Sequence, residues 1–187
     1  MNLLTPRLQL RPLTEGDAPF TLALLNTEGF LRHIGDRGVR DLDQARAYLH
    51  GGPLDSYARH GHGLLAVVRR DSGIPIGFCG LLKRDSLPEV DLGYALLPEQ
   101  EGHGFAREAA LAVRVHGHRT LGFRRILAIV NPDNARSIRL LAALDFRPEG
   151  LRRLPGEDED VACFAWTAPR ARRPHVPDRR SPRRPGP

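Results

Sequence analysis

The 187-residue sequence is short of several residue types, and each shortage narrows what the chain can be. Cysteine occurs only at Cys79 and Cys163, far apart, so neither a disulfide framework nor a cysteine-based metal site is expected. The eight histidines are scattered without paired metal-ligand spacing, and no metal site is expected from them either. No apolar run approaches the ~18 residues of a membrane-spanning helix, which argues against a membrane protein. The opening Met1-Asn2-Leu3-Leu4-Thr5-Pro6-Arg7 lacks a basic segment followed by an apolar core. No secretory signal is read there, and the expected compartment is the reducing cytoplasm. Aromatic residues make up only 6% of the chain.

Net charge is also scarce where it first looks plentiful. The net charge is +6, but residues 168–187 hold seven arginines, at 170, 172, 173, 179, 180, 183 and 184, against the single acid Asp178. Residues 1–167 are therefore close to neutral. A neutral body without clustered exposed aromatics argues against a nucleic-acid groove, leaving only unspecific contact by the tail. The tail is rich in proline as well as arginine, so the sequence reads as one domain over 1–167 followed by a disordered extension over 168–187.

What is present is a domain-sized body with an apolar content of 41% over the whole chain. Leu8–Leu13 alternates apolar and polar residues as a first strand does. Asp17 is placed to cap a helix over 18–26, and Asp41 or Asp43 a second one carrying Ala45, Tyr48 and Leu49. Residues 54–60 add another turn or two. Leu64–Arg69, Ile74–Lys83 and Glu89–Leu97 then read as three consecutive antiparallel strands separated by turns. Pro98-Glu99-Gln100-Glu101-Gly102-His103-Gly104 leads from the third of these into a helix running to about Thr120. A short buried strand, Arg125–Val130, precedes a helix over Ala135–Leu144. Arg147–Arg153 and Val161–Thr167 close the domain as a strand pair around the acidic loop 157–160.

The stretch from Gly102 to Ala106 organises this order. A helix N-terminus leaves backbone N–H groups without intrahelical partners, and the helix dipole adds partial positive charge there. Two glycines remove the Cβ atoms that would keep an anion from the main chain, so a phosphate or pyrophosphate is the natural guest. The motif follows three antiparallel strands rather than one strand of a βαβ repeat. Leu121-Gly122-Phe123-Arg124 stands where a ribose-binding acid would be expected, so a dinucleotide reading loses ground.

Taken together, Thr5–Arg11, Asp91-Leu92-Gly93-Tyr94, Gly102-His103-Gly104-Phe105-Ala106-Arg107-Glu108-Ala109, Asn134-Ala135-Arg136-Ser137 and Leu144-Asp145-Phe146 resemble the GNAT N-acetyltransferase superfamily, within it the RimJ/RimL-like branch. The resemblance spans most of residues 3–167. It implies an α/β fold of the α+β type, with a mixed, mostly antiparallel sheet of six to seven strands. That sheet splays between the fourth and fifth strands and is flanked by about four helices. It also implies acetyl-CoA as the acyl donor and a primary amine as the acceptor, either a protein N-terminus or a small amine. The alternative activity is a non-catalytic acyl-CoA sensor or scaffold. A homodimer stays open.

The resemblance further implies roles for residues. Gly102, His103, Gly104, Phe105, Ala106 and Arg107 would wrap the cofactor's pyrophosphate. Leu96 and Leu97 would pair with its pantetheine arm, with backbone N–H groups near Leu96 facing the oxyanion, and Asn134 would contact the pantetheine or the phosphates. Asp91 is the first choice for the base that deprotonates the amine, with Glu89, two residues earlier on the same strand face, as the second. Ser137 would return a proton to the departing thiolate. The superfamily's tyrosine near the end of the last long helix is replaced here by Leu140-Leu141-Ala142-Ala143-Leu144, and Tyr94 is read as packing. Glu101, or Gln100, falls where a side chain would help the loop, and an acid there is unhelpful to a pyrophosphate unless it points away. Arg37 and Tyr57 are expected on the acceptor side. If the tail is an appendage, deleting residues 168–187 leaves acetyl transfer intact, and a steady-state rate comparison checks this.

Overall fold

In the computed structural model, residues 2–155 and 159–169 are described. The readings made for residues 157 and 158 of the acidic loop and for the tail beyond Pro169 lie outside them. The chain runs β1 (Leu3–Leu4), β2 (Leu8–Pro12), α1 (Ala18–Leu25), α2 (Glu28–His33), α3 (Leu42–Leu49), α4 (Asp55–His60), β3 (Leu64–Arg69), β4 (Pro75–Leu82), β5 (Asp91–Leu96), α5 (Phe105–Arg119), β6 (Arg125–Val130), α6 (Ala135–Ala143), β7 (Arg147–Arg153) and β8 (Asp160–Thr167). The α+β sheet architecture is as expected, with eight strands instead of six to seven and six α-helices instead of about four. β1 is too short for alternation to reveal it. α2 has six residues and starts where Thr27 Oγ1 accepts from the Phe30 N–H. Short elements of this kind carry little periodic signal.

Local chemistry explains the helix starts. Asp41 caps α3 by accepting from the Gln44 N–H at 2.8 Å, which settles the choice against Asp43. Asp17 points backwards instead of capping α1. Its buried carboxylate accepts from the Thr14 N–H at 2.8 Å and pairs with Arg11 at 2.7 Å. Those contacts hold the carboxyl below its ordinary range even though burial opposes them.

The strand order is β1-β2-β3-β4-β5-β6-β8-β7, antiparallel throughout except for the parallel neighbours β5 and β6. Two cores cover the two faces. On one, α5 and α6 pack Phe105, Ala109, Val113 and Leu141 against Leu10, Val67, Leu81, Leu92 and Ile126. Phe105, Ala109, Val113 and Gly117 recur every fourth residue, so α5 lays one stripe on the sheet. On the other face Leu24, Leu25, Ala45 and Leu49 of α1 and α3 cover Ala66, Val68 and Phe78. A smaller cluster of Leu87, Leu127, Leu154 and Ala165 continues that face beyond β5. Ala168 is buried and its N–H donates to the Arg124 carbonyl at 2.8 Å, so the folded body reaches one residue past 167. A tail truncation is better placed after Pro169. Among the described residues no helix is long and apolar enough to cross a membrane.

Gly80 shows how closely the strands lie: a Cβ there would sit 2.1 Å from the Gly63 carbonyl oxygen. Backbone cannot yield cheaply, so Gly80→Ala is expected to destabilise the fold by about 1–3 kcal/mol, read as a lower thermal midpoint by calorimetry.

Candidate active site

The sheet opens at β5. Its ladder to β6 has a single paired position, Asp91↔Leu127, with the Leu127 N–H donating to the Val90 carbonyl at 2.9 Å. The Leu97 N–H donates the other way, to Ile76 on β4, at 2.9 Å. Backbone direction alternates along a strand, so the N–H and C=O groups of Tyr94 and Leu96 face the β6 side, where no ladder continues. The gap therefore has a wall of uncommitted main-chain groups. Leu96 belongs to that wall and Leu97 does not, because its N–H serves β4 and its carbonyl accepts from the Gln100 N–H at 2.9 Å. The expected pairing role of Leu97 is corrected on this ground.

Side chains alternate as well. Leu92, Tyr94 and Leu96 pack in the core under α5 and α6, while Ala95 and Leu97 pack in the core under α1 and α3. Asp91 shares the second parity and points to the α1–α3 face at the closed end of the gap. It is 1% exposed, and Arg84 Nε donates to its Oδ1 at 3.0 Å. Burial raises the carboxyl above its ordinary range, against the charge and hydrogen bond of Arg84. β5 starts at Asp91, and Glu89 lies in the bend before it, outside the strand alternation that was to align the two acids.

Beyond Leu97 a single 3-10 turn leads to Gly102 and Gly104, both at φ +79°. A Cβ at Gly102 would meet nothing within 4 Å. α5 begins after Gly104 with no side-chain cap, so its first N–H groups are left for a guest. Arg7 braces this loop from β2's side: its Nη1 donates to the His103 carbonyl at 2.9 Å and its Nε to Glu108 Oε2 at 2.7 Å, and its guanidinium lies 4.5 Å from the Phe105 ring centre. The Arg107 side chain is exposed and makes no hydrogen bond or ion pair among the described residues. Glu101 turns to Arg136 on α6 and forms an ion pair with it, which neutralises the acid that stood beside the loop.

The facing junction is the N-terminus of α6. Asn134 Oδ1 caps it by accepting from the Ser137 N–H at 3.0 Å, leaving the amide NH2 uncommitted. Ser137 Oγ lies 2.5 Å from the Tyr94 hydroxyl, which joins α6 to β5 across the opening. Tyr94 is therefore more than packing. Burial pushes its phenol up to about 12. Sequence reasoning missed this pairing and the Arg84–Asp91 pair. No local pattern carries either one, since both are contacts between residues set by tertiary packing.

The two residues expected on the acceptor side part company. The Tyr57 hydroxyl accepts from the Leu13 N–H at 3.0 Å and donates to the Leu64 carbonyl, so both of its valences are spent tying α4 to β2 and β3. It is a structural residue. Arg37 is exposed on the loop after α2, and its charge, with that of Arg84, reaches the half-buried Tyr48 hydroxyl. Arg84 therefore bears on both Asp91 and Tyr48. Among the described residues no group of three potential metal ligands comes together. The glycine cradle, the uncapped helix and the open β5 edge fit a long anionic thioester in outline and donor chemistry.

A profile of the acetyltransferase (GNAT) domain matches residues 7–147. The chain is 32% identical over 153 residues to an uncharacterized N-acetyltransferase, YoaA, of Bacillus subtilis, covering 80% of this chain and 84% of that protein. Over 154 residues it is 29% identical to the uncharacterized N-acetyltransferase p20 of Bacillus licheniformis, covering 81% and 85%. Among solved structures, an acetyltransferase from Agrobacterium tumefaciens superposes with a TM-score of 0.76 at 27% identity, over 89% of this chain and 94% of that one. RimL, a ribosomal L7/L12 alpha-N-protein acetyltransferase solved with coenzyme A, shares the fold at a TM-score of 0.77 and 19% identity, over 90% and 98%.

Arg84→Met removes the cation and hydrogen bond that oppose burial at Asp91, so the carboxyl is expected to rise further above its ordinary range. Carboxyl carbon NMR titration of the two proteins reads this directly. A group raised on folding contributes stability below its unfolded value and loses it as pH rises through the folded one. The variant should therefore lose more stability than the parent between mildly acidic and neutral pH.

Proposed function

The chain belongs to the acetyltransferase (GNAT) family and is an acyltransferase, and from that premise we propose that it moves an acetyl group from acetyl-CoA to a primary amine by direct attack in a ternary complex. The observation that carries this reading is the division of labour across β5. Asp91 lies on one face of the strand, the Tyr94–Ser137 pair on the other, and the gap with its unpaired main-chain groups runs between them.

Bound acetyl-CoA supplies the activated acetyl thioester. The N–H groups from Gly102 to Arg107 hold the pyrophosphate, with Arg107 adding a mobile positive charge and Asn134 meeting the pantetheine or the phosphates. The Leu96 N–H faces the gap and polarises the acetyl carbonyl. Asp91 takes a proton from the incoming ammonium, and its raised pKa makes it a stronger base than an ordinary carboxylate. At neutral pH the deprotonation costs about 1 kcal/mol for an α-amine and about 5 for a lysine side chain, so a single carboxylate suits the α-amine. As the nitrogen–carbon bond forms and the carbon–sulfur bond breaks, Ser137 gives its hydroxyl proton to the sulfur.

The acceptor is a polypeptide N-terminus, the kind of group the name of RimL assigns to that protein, or a small amine. Arg37, exposed on the loop after α2, would contribute to the acceptor wall. The reading places the enzyme in the cytoplasm, acting alone or as a homodimer, with nucleic acid at most touched by the tail.

Acetyl-CoA at ~100 times its dissociation constant should stabilise the fold by about 2.7 kcal/mol, a rise of about 5–10 °C in thermal midpoint. No rise would remove the proposal. Coenzyme A release with a panel of peptide N-termini and small amines then identifies the acceptor. Asp91→Asn and Ser137→Ala should lower kcat by about 10²–10⁴ while the midpoint rise persists, and parent-like rates in both would overturn the residue assignment.

A further inference from the structure

Two hydroxyls facing each other can share one hydrogen bond in either direction, and the direction decides what Ser137 can do. The Tyr94 oxygen lies 2.5 Å from Ser137 Oγ and 3.4 Å from the Ser137 carbonyl oxygen. The serine's N–H is already taken by Asn134 Oδ1. Among the described residues its hydroxyl has no hydrogen-bond partner besides Tyr94. A serine in a helix commonly turns its hydrogen back to a carbonyl of the preceding turn, where it is lost to chemistry. No such bond from the Ser137 hydroxyl to a backbone carbonyl is present among the described residues, and Tyr94 is its one neighbour within hydrogen-bond distance.

Of the two hydroxyls, Tyr94 is the one better suited to donate. It is largely buried among the apolar residues under α5 and α6, and burial disfavours a phenolate, which keeps the phenol protonated across the working range. A neutral phenol is the better donor of the two hydroxyls. If it donates to Ser137 Oγ, the serine's own hydrogen is displaced from the Tyr94 side. The backbone of Tyr94 faces the gap while its side chain reaches α6, so the same residue also ties the two walls together where they diverge.

We propose that Tyr94 is a positioning residue of the transfer reaction: its O–H donates to Ser137 Oγ, aims the serine's hydrogen into the gap and spans the open edge of the sheet. The inference rests on the proposed role of Ser137. Tyr94 ends each turnover unchanged. The proton given to the departing sulfur is the serine's, and the serine regains one from solvent when coenzyme A leaves.

Single-turnover acetyl transfer tests this without interference from product release. Tyr94→Phe keeps the ring in its apolar surroundings and removes only the hydroxyl. It should fold with a parent-like circular dichroism spectrum, keep the KM for acetyl-CoA and slow transfer about tenfold, the scale of one neutral hydrogen bond. Ser137→Ala should slow it about a hundredfold. The double variant should be no slower than Ser137→Ala alone, because Tyr94 acts only through that hydroxyl. A Tyr94 that merely supported the fold would give the same tenfold loss in both backgrounds. A multiplicative loss, or no effect of Tyr94→Phe, overturns the inference. A parent-like rate in Ser137→Ala overturns instead the reading on which it rests, and the two failures are read from separate proteins.

Discussion

The site depends on one interrupted pairing. β5 and β6 meet at Asp91↔Leu127 and then diverge, so a strand in the middle of an eight-stranded sheet carries a stretch of unpaired backbone. Buried main-chain polar groups without partners are costly, and a sheet normally removes them by continuing its ladder. Here the ladder stops after one paired position and they persist. The opening supplies donors in an apolar setting, which is where a carbonyl is polarised most strongly. The loop from Pro98 to Gly104 follows β5 closely, so the glycine loop and the open edge are consecutive parts of one chain segment.

Around this opening arginines settle the charges. Arg84 sits on Asp91, Arg136 on Glu101, and Arg7 on Glu108. Exposed pairs of this kind add little to stability. Their effect is positional: Glu101 is drawn away from the cradle, and Arg7 fixes the carbonyl of His103 so that the loop's N–H groups are free to turn elsewhere. The Arg84–Asp91 pair is different because Asp91 is buried. The charge and hydrogen bond of Arg84 oppose the rise that burial imposes on the carboxyl.

Much of this was legible in the chain. The strand–loop–helix step at 97–105 shows itself by Pro98, Gly102 and Gly104, because turn and cap chemistry is local. The same is true of Asn134 at the start of α6. β5 starts at Asp91, two residues later than the apolar–polar pattern after the 85–88 turn suggests, because strand ends are set by pairing with neighbours and not by local pattern. Tyr57 was misassigned because a tyrosine near a presumed acceptor wall looks the same in sequence whether its hydroxyl faces a ligand or two backbone groups. Tyr94 was undervalued for the converse reason: its partner lies 43 residues away.

By itself, then, the sequence determined the order of the longer elements and the turn with its two glycines, which rest on contacts between near neighbours and on periodicity, and its motifs determined the family. The tertiary structure alone decided that Asp91 is buried against Arg84, that Leu96 but not Leu97 faces the gap, and that Tyr94 meets Ser137. Strand alternation assigns faces only once the strand's first residue and its neighbours are known. The neighbours of β5 include a strand that follows it by 29 residues and a helix that comes later still.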